Sequence, residues 1–165
     1  MNGQIEIREY KSTDKLSLML LLDLNIPRYF AVEERADFSH YLDDERELYY
    51  VLLLDNQIVG CGGVNFADHH TTGRISWDIL HPDYHGKSLG TKLLQYRLEI
   101  LRSIDSILRI TVRTSQLAYR FYEKQGFQLK EIKKDYWAKG FDMYDMEYTL
   151  LENRHQGHTE ELKSL

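Results

Sequence analysis

Leu80-His81-Pro82-Asp83-Tyr84-His85-Gly86-Lys87-Ser88-Leu89-Gly90-Thr91-Lys92-Leu93-Leu94 carries the chain out of a strand, around a proline and into a helix. Residues 74–80 alternate polar and apolar side chains, the period of a half-buried strand. Leu89, Leu93, Leu94, Leu98 and Leu101 then recur at the spacing of one helix face. Between the two lie three small residues, Gly86, Ser88 and Gly90. Small residues at such a junction let backbone N–H groups come close to an anion, and the helix N-terminus adds partial positive charge. The loop reads as a phosphate cradle made of main chain, with a plain turn and helix cap as the alternative. Its spacing does not match the dinucleotide-binding fingerprint.

Toward the N-terminus, residues 4–10 alternate around Ile5 and Ile7 as a first edge strand. Leu16, Leu18, Leu20, Leu21 and Leu24 predict an apolar stripe on a first helix. Pro27 fits the first turn of a second helix carrying Phe30, Ala31, Phe38, Tyr41 and Leu42. Residues 48–54 are continuously apolar, Asp55-Asn56 breaks the run, and residues 58–66 start back, which predicts a hairpin. Beyond the central helix, residues 108–112 read as a strand. Ser115 can cap a further helix bearing Leu117, Ala118, Phe121 and Tyr122, with Gly126 to end it. Strands at 127–133 and 143–150 complete the set. The expected class is α/β of the α+β kind: a mixed, mostly antiparallel central sheet of about six to seven strands flanked by helices.

A chain of 165 residues is the length of one ordinary domain. That domain is expected over residues 1–151, with a polar tail at 152–165 that has almost nothing apolar to bury. The net charge of −5 argues against nucleic acid as a partner, since that affinity depends on clustered Lys and Arg; it suits a cationic small molecule. Cys61 is the single cysteine, so no intrachain disulfide forms, and it reads as a small buried hydrophobe. No basic-then-apolar leader and no apolar run of ~20 residues is present, so the expectation is a cytoplasmic protein with no membrane partner. His40, His69, His70 and His81 lack ligand spacing, and His155 and His158 stand in the polar tail as solvated residues, so no metal is expected.

Three segments, in order, resemble the GNAT family of N-acetyltransferases. The family's loop runs Gln or Arg, two residues, Gly, one residue, Gly or Ala. Here it is matched by His85-Gly86-Lys87-Ser88-Leu89-Gly90, with His85 and Ser88 departing from the pattern. A histidine still donates to a phosphate, and serine is small enough for close approach if its φ stays negative. Ala118-Tyr119-Arg120-Phe121-Tyr122-Glu123-Lys124-Gln125-Gly126-Phe127 is similar to the family's Ala-x-x-Phe/Leu-Tyr-Glu-Lys-x-Gly-Phe segment, with Ser115 where the family usually has Asn. Ile58-Val59-Gly60-Cys61-Gly62-Gly63-Val64 is a weaker third match, and the likeness covers about residues 3–150.

The resemblance implies a GNAT fold, acetyl-CoA as cosubstrate, and acetyl transfer to a primary amine of a small molecule or peptide within a ternary complex. It implies pantetheine along Ile79 and Leu80, with a backbone N–H near Asp78 for the thioester carbonyl. The amides of His85, Gly86, Lys87, Ser88, Leu89, Gly90 and Thr91 would hold the pyrophosphate, and Ser115 would touch the pantetheine arm. Tyr122 would stand at the coenzyme sulfur as general acid. Asp78 is the candidate base, with a solvated or salt-bridged strand aspartate as the alternative: with Ser76 it shares strand parity with Leu80, opposite Trp77 and Ile79, so one strand face is polar. The first two helices and the last hairpin would line the acceptor pocket with Tyr29, Phe30, Glu33, Glu34, Tyr136, Trp137, Phe141 and Tyr144. Aromatic and acidic lining suits a cationic amine. The aromatics near residues 136–144 equally suit a homodimer contact. Two rivals stand beside this reading: a transferase of another acyl-CoA, and a catalytically silent CoA-binding or interaction module, which the departures at His85, Ser88 and Ser115 would favour. Polyamine, antibiotic, amino acid and protein N-terminus all satisfy the sequence as acceptor.

Overall fold

A computed structural model describes residues 3–150, so the expected tail and its two histidines lie outside the described residues. The strands are β1 (Ile5–Glu9), β2 (Leu48–Leu54), β3 (Gln57–Ala67), β4 (Thr72–Leu80), β5 (Arg109–Thr114), β6 (Phe127–Ala138) and β7 (Phe141–Thr149). The helices are α1 (Lys15–Asp23), α2 (Glu34–His40), α3 (Leu89–Arg102) and α4 (Tyr119–Lys124). All seven strands join one sheet in the order β1-β2-β3-β4-β5-β7-β6. Every pair is antiparallel except β4 with β5, which gives the mixed, mostly antiparallel sheet expected. The β2–β3 hairpin turns on Asp55 and Asn56, both at positive φ (49° and 66°), the geometry that matches the twist of the flanking strands.

The two sheet faces are covered separately. Leu94, Leu98 and Leu101 of α3 pack with Ile75, Ile110 and Val112, and Tyr122 of α4 joins the same cluster. On the opposite face Leu18, Leu21 and Leu22 of α1 and Phe38 of α2 pack with Tyr49, Val51 and Cys61. Each buried leucine contributes about 1.5–3 kcal/mol. Cys61 is fully buried, as expected, and burial pushes its thiol up to about 12.

Four local expectations are corrected. The α1 stripe is rotated: Leu18, Met19, Leu21 and Leu22 are buried, whereas Leu16, Leu20 and Leu24 are exposed. Residues 18–22 are apolar without interruption, so periodicity alone cannot orient this helix. Pro27 does not open a helix; residues 24–33 form turns in which the Tyr29 and Phe30 amides both donate to the Asn25 carbonyl. α2 begins only at Glu34, whose carboxylate accepts from the Ala31 amide at 2.8 Å. Ser115 caps a separate turn, accepting from the Leu117 amide at 3.2 Å, and α4 starts four residues later. β6 runs on to Ala138, past the expected end at Lys133, and Gly140 at φ +84° turns it into β7.

β4 pairs with β5 only over Thr72 to Ile75 against Arg109 to Val112. Beyond that point the two strands splay, and their unpaired edges bound a gap at the N-terminus of α3.

Candidate active site

The splay between β4 and β5 opens a cleft of about 880 Å³. Its floor is shaped by an irregularity in β4. Cys61 pairs with Ile79 and Gly63 with Ser76, so Trp77 and Asp78 together stand opposite Gly62 alone. This is a β-bulge, and it holds Trp77 at φ +49°. The bulge overturns the expected parity. Ile79 and Trp77 pack in the core beneath α1 and α2, Ser76 lies beside Tyr41 on that same face, and Asp78 turns the other way, toward α3 and α4. Ser76 and Asp78 therefore do not share a face, because the extra residue shifts the alternation between them.

Asp78 is held between two buried side chains. The Tyr122 hydroxyl donates to its Oδ2 at 2.6 Å, and Arg97 Nη1 stands 2.5 Å from its Oδ1. Arg97 is fully buried, and it also donates from Nη1 to the Gly63 carbonyl at 3.0 Å and from Nε to the Leu93 carbonyl. With Nη1 aligned on Gly63, Asp78 Oδ1 is met by charge and has no aligned hydrogen bond. Burial pulls the Arg97 guanidinium down, but the carboxylate of Asp78 outweighs it and the net shift is upward. Burial and then the adjacent Asp78 charge push the Tyr122 hydroxyl well above its usual range, so it keeps its proton. Gly62 makes the arrangement possible: a Cβ there would stand 2.3 Å from Asp78 Oδ1 and 2.7 Å from Arg97 Nη1.

At the mouth of the cleft, Ile79, Leu80, His85, Gly86, Ser88, Leu89, Gly90 and Thr91 all line the gap, as do Ser115 and Tyr122. Lys87 does not; its ammonium lies over the Tyr84 ring. The first amides of α3 have no partner within the helix, which leaves them directed at the loop. Ser88 sits at the N-cap with φ +63°, correcting the expectation of a negative φ. A non-glycine residue there is held at a cost of about 1–2 kcal/mol. His85 is also differently engaged: its Nε2 lies 3.1 Å from the Leu80 carbonyl and its ring meets Tyr29 edge-on. A carbonyl only accepts, so Nε2 carries the proton; Nδ1 of the neutral ring is then an acceptor with nothing to offer an anion, and the main-chain amide donates to the Pro82 carbonyl at 3.4 Å.

Elsewhere in the cleft, Phe30 stacks on Trp77, and Tyr29, Phe30, Ser76, Trp137 and Phe141 line it. Trp137 is fixed by donation from Nε1 to the Thr114 carbonyl. Glu33 is exposed and lies outside the cleft; the next residue, Glu34, lines it in its place. Tyr136 is half-exposed beside Trp137, and Tyr144 packs on Tyr119, so neither reaches the cleft. Burial raises the Glu34 carboxyl from 4.5 to about 7. Between these values the folded chain holds a proton that the unfolded chain has released, so stability falls as pH rises from about 4.5 to 7. Glu34→Gln keeps an acceptor for Ala31 and removes this loss. Thermal unfolding at pH 8 is expected to show it more stable than the parent by up to about 3 kcal/mol, with no gain near pH 4.

The family's sequence profile, Acetyltransferase (GNAT) family, matches residues 18–127. The chain belongs to the GNAT family. No curated protein matches this GNAT chain by sequence. Solved structures share its fold at low identity. An aminoglycoside 6'-N-acetyltransferase complexed with coenzyme A is 16% identical, with a TM-score of 0.71 over 87% of this chain and 96% of its own. The ribosomal-protein-S18-alanine N-acetyltransferase of Escherichia coli is 16% identical, with a TM-score of 0.73 over 89% and 94%. The loading GNATL domain of CurA from Lyngbya majuscula is 13% identical, with a TM-score of 0.77 over 90% and 99%.

Three residues central to this GNAT site escaped the reading of the sequence. Arg97 falls on the stripe of Leu93, Leu94 and Leu101, and a charged residue at a core position of a helix was the available signal. Gly62 lay inside the matched hairpin without a stated role. Asn25, buried, donates to the Leu21 and Leu80 carbonyls and ties the end of α1 to the end of β4. No group of three metal-ligating side chains occurs among the described residues, and no described helix is long and apolar enough to cross a membrane.

Proposed function

We propose that this GNAT protein transfers an acetyl group from acetyl-CoA to a primary amine of a small molecule or peptide, by direct attack in a ternary complex. The observation that carries the reading is the Asp78–Tyr122 hydrogen bond inside the gap between β4 and β5. In this reading the pantetheine arm lies along the unpaired edge of β4 at Ile79 and Leu80, and the pyrophosphate rests on the first amides of α3. A backbone N–H of the bulged β4 stabilises the oxyanion as the thioester carbonyl is attacked.

The ammonium form of the acceptor first loses one proton to solvent. Attack then forms the N–C bond, the C–S bond breaks, and one proton must pass from nitrogen to the departing sulfur. Tyr122 alone is a poor donor, since losing its proton would leave two adjacent anions in a buried site. The pair solves this together: Asp78 accepts the proton of the attacking nitrogen while Tyr122 passes its own to sulfur and recovers one from Asp78. Charge and protons balance, and no tyrosinate accumulates.

His85, turned to the Leu80 carbonyl, and Ser88, at positive φ, favour the silent module as the second reading. Calorimetric titration with acetyl-CoA and with CoA separates the two. Micromolar binding to the parent is expected, retained in Gly90→Ala, whose Cβ would meet Phe121 at an ordinary 3.6 Å, and lost in Gly90→Trp. No binding to the parent would put the silent module first.

A further inference from the structure

The register of β4 with β5 places Arg74 beside Thr111 and Ile75 beside Val112. Ile75 and Val112 enter the core beneath α3, so Arg74, Thr111 and Arg113 project together from the opposite face. Arg74 and Arg113 both line the cleft. Neither guanidinium makes a side-chain hydrogen bond or ion pair among the described residues, and Arg74 Nε is buried without a partner. The Thr111 hydroxyl beneath them is equally buried and equally unpartnered. Buried polar groups are ordinarily satisfied, and unsatisfied ones are costly. Among the described residues three buried side-chain polar atoms lack a hydrogen-bond partner: Asp78 Oδ1, which is met by the Arg97 charge, Arg74 Nε and Thr111 Oγ1. The first belongs to the catalytic pair, and the other two are neighbours on adjacent strands.

We infer that Arg74 and Arg113, with the Thr111 hydroxyl beside them, form an anion subsite of the cleft, and that the acceptor amine also carries a carboxylate, as in an ω-amino acid or a short peptide. The inference rests on the acetyltransferase reading and names the substrate class of that same site. Burial and the like charge of Arg113 hold the Arg74 guanidinium below its usual range, the condition of a cation awaiting a counter-charge. Asp145 and, more weakly, Asp68 temper this positive field. That suits the single charge of a carboxylate better than a doubly charged phosphate. Arg74 pairs with Asn65 while Asp78 stands opposite Gly62, three residues along β3, so the two lie on the order of 10 Å apart at ~3.3 Å per residue, part of which the long arginine side chain spans. The carboxylate is therefore held several bonds from the reacting nitrogen, an arrangement that orients a flexible acceptor.

The test compares an ω-amino carboxylate with the alkylamine of the same length, in the parent and in Arg74→Gln and Arg113→Gln. The expected result is that the parent prefers the carboxylate in kcat/KM, and that each variant lowers that preference about ten- to hundred-fold through KM. A preference for the alkylamine, or equal losses on both acceptors, would overturn the subsite. Calorimetric binding of the ω-amino carboxylate to the CoA-loaded and the free protein reads the subsite without turnover. Acetyl-CoA binding with no carboxylate binding defeats the subsite alone. Carboxylate binding that both variants weaken, with no acetyl-CoA bound, upholds the subsite and defeats the transferase reading.

Discussion

Arg97→Met is expected to destabilise the protein by about 3–5 kcal/mol, the cost of leaving a largely buried carboxylate without its charge partner. Arg97 is fully buried, its Nη1 stands 2.5 Å from Asp78 and 3.0 Å from the Gly63 carbonyl, and among the described residues only the uncharged Tyr122 hydroxyl is also bonded to Asp78. Denaturant unfolding would measure the loss. The double variant Arg97→Met/Asp78→Asn is expected to recover a large part of it, because replacing both charges of a buried pair removes the uncompensated one. A single-variant loss below about 1 kcal/mol would mean that Asp78 is solvated through the cleft and that the pair is incidental to stability. Recovery of stability without recovery of activity would place the charge of Asp78 in the chemistry.

Tyr122→Phe is expected to lower kcat by about 10²–10⁴-fold while KM for acetyl-CoA changes little, since the ring still fills its place beside Phe121 and Phe127 and only the proton-carrying oxygen is lost. Asp78→Asn is expected to fall by a similar factor. If the two groups pass one proton as a unit, the double variant falls no further than the worse single one. Additive losses would mean that Asp78 and Tyr122 act in separate steps. Because burial and the Asp78 charge hold Tyr122 well above its usual range, the parent's rate should show no loss from tyrosine ionisation up to about pH 10.

Much of this was legible in local patterns. The alternation at residues 74–80, the leucine spacing of α3 and the Asp55-Asn56 break identified strands, helix and hairpin, because each depends on residues within a few positions of one another. The junction from strand to helix at residues 80–89 was legible for the same reason: its small residues and the helix start are contiguous. The tyrosine segment at residues 118–127 also announced itself.

What the pattern could not carry was any property set by a partner far along the chain. The orientation of α1 was lost because an all-apolar run offers no polar side to turn outward, and packing against the sheet decided it. The parity of β4 was lost because a bulge is a relation between two strands: it exists only where Trp77 and Asp78 meet Gly62 alone. Asp78 and Tyr122 lie 44 positions apart, and Arg97 falls between them on a third element. The sequence by itself determined the elements and their order, since these follow from propensity and short-range periodicity, and its resemblance to the GNAT family carried the expectation of acyl-transfer chemistry. Only the tertiary structure decided that Asp78 faces Arg97 and Tyr122, that Ser76 does not, and that Arg74, Thr111 and Arg113 share a face. Side-chain direction and charge pairing are properties of contact, and contact is made only when the chain folds.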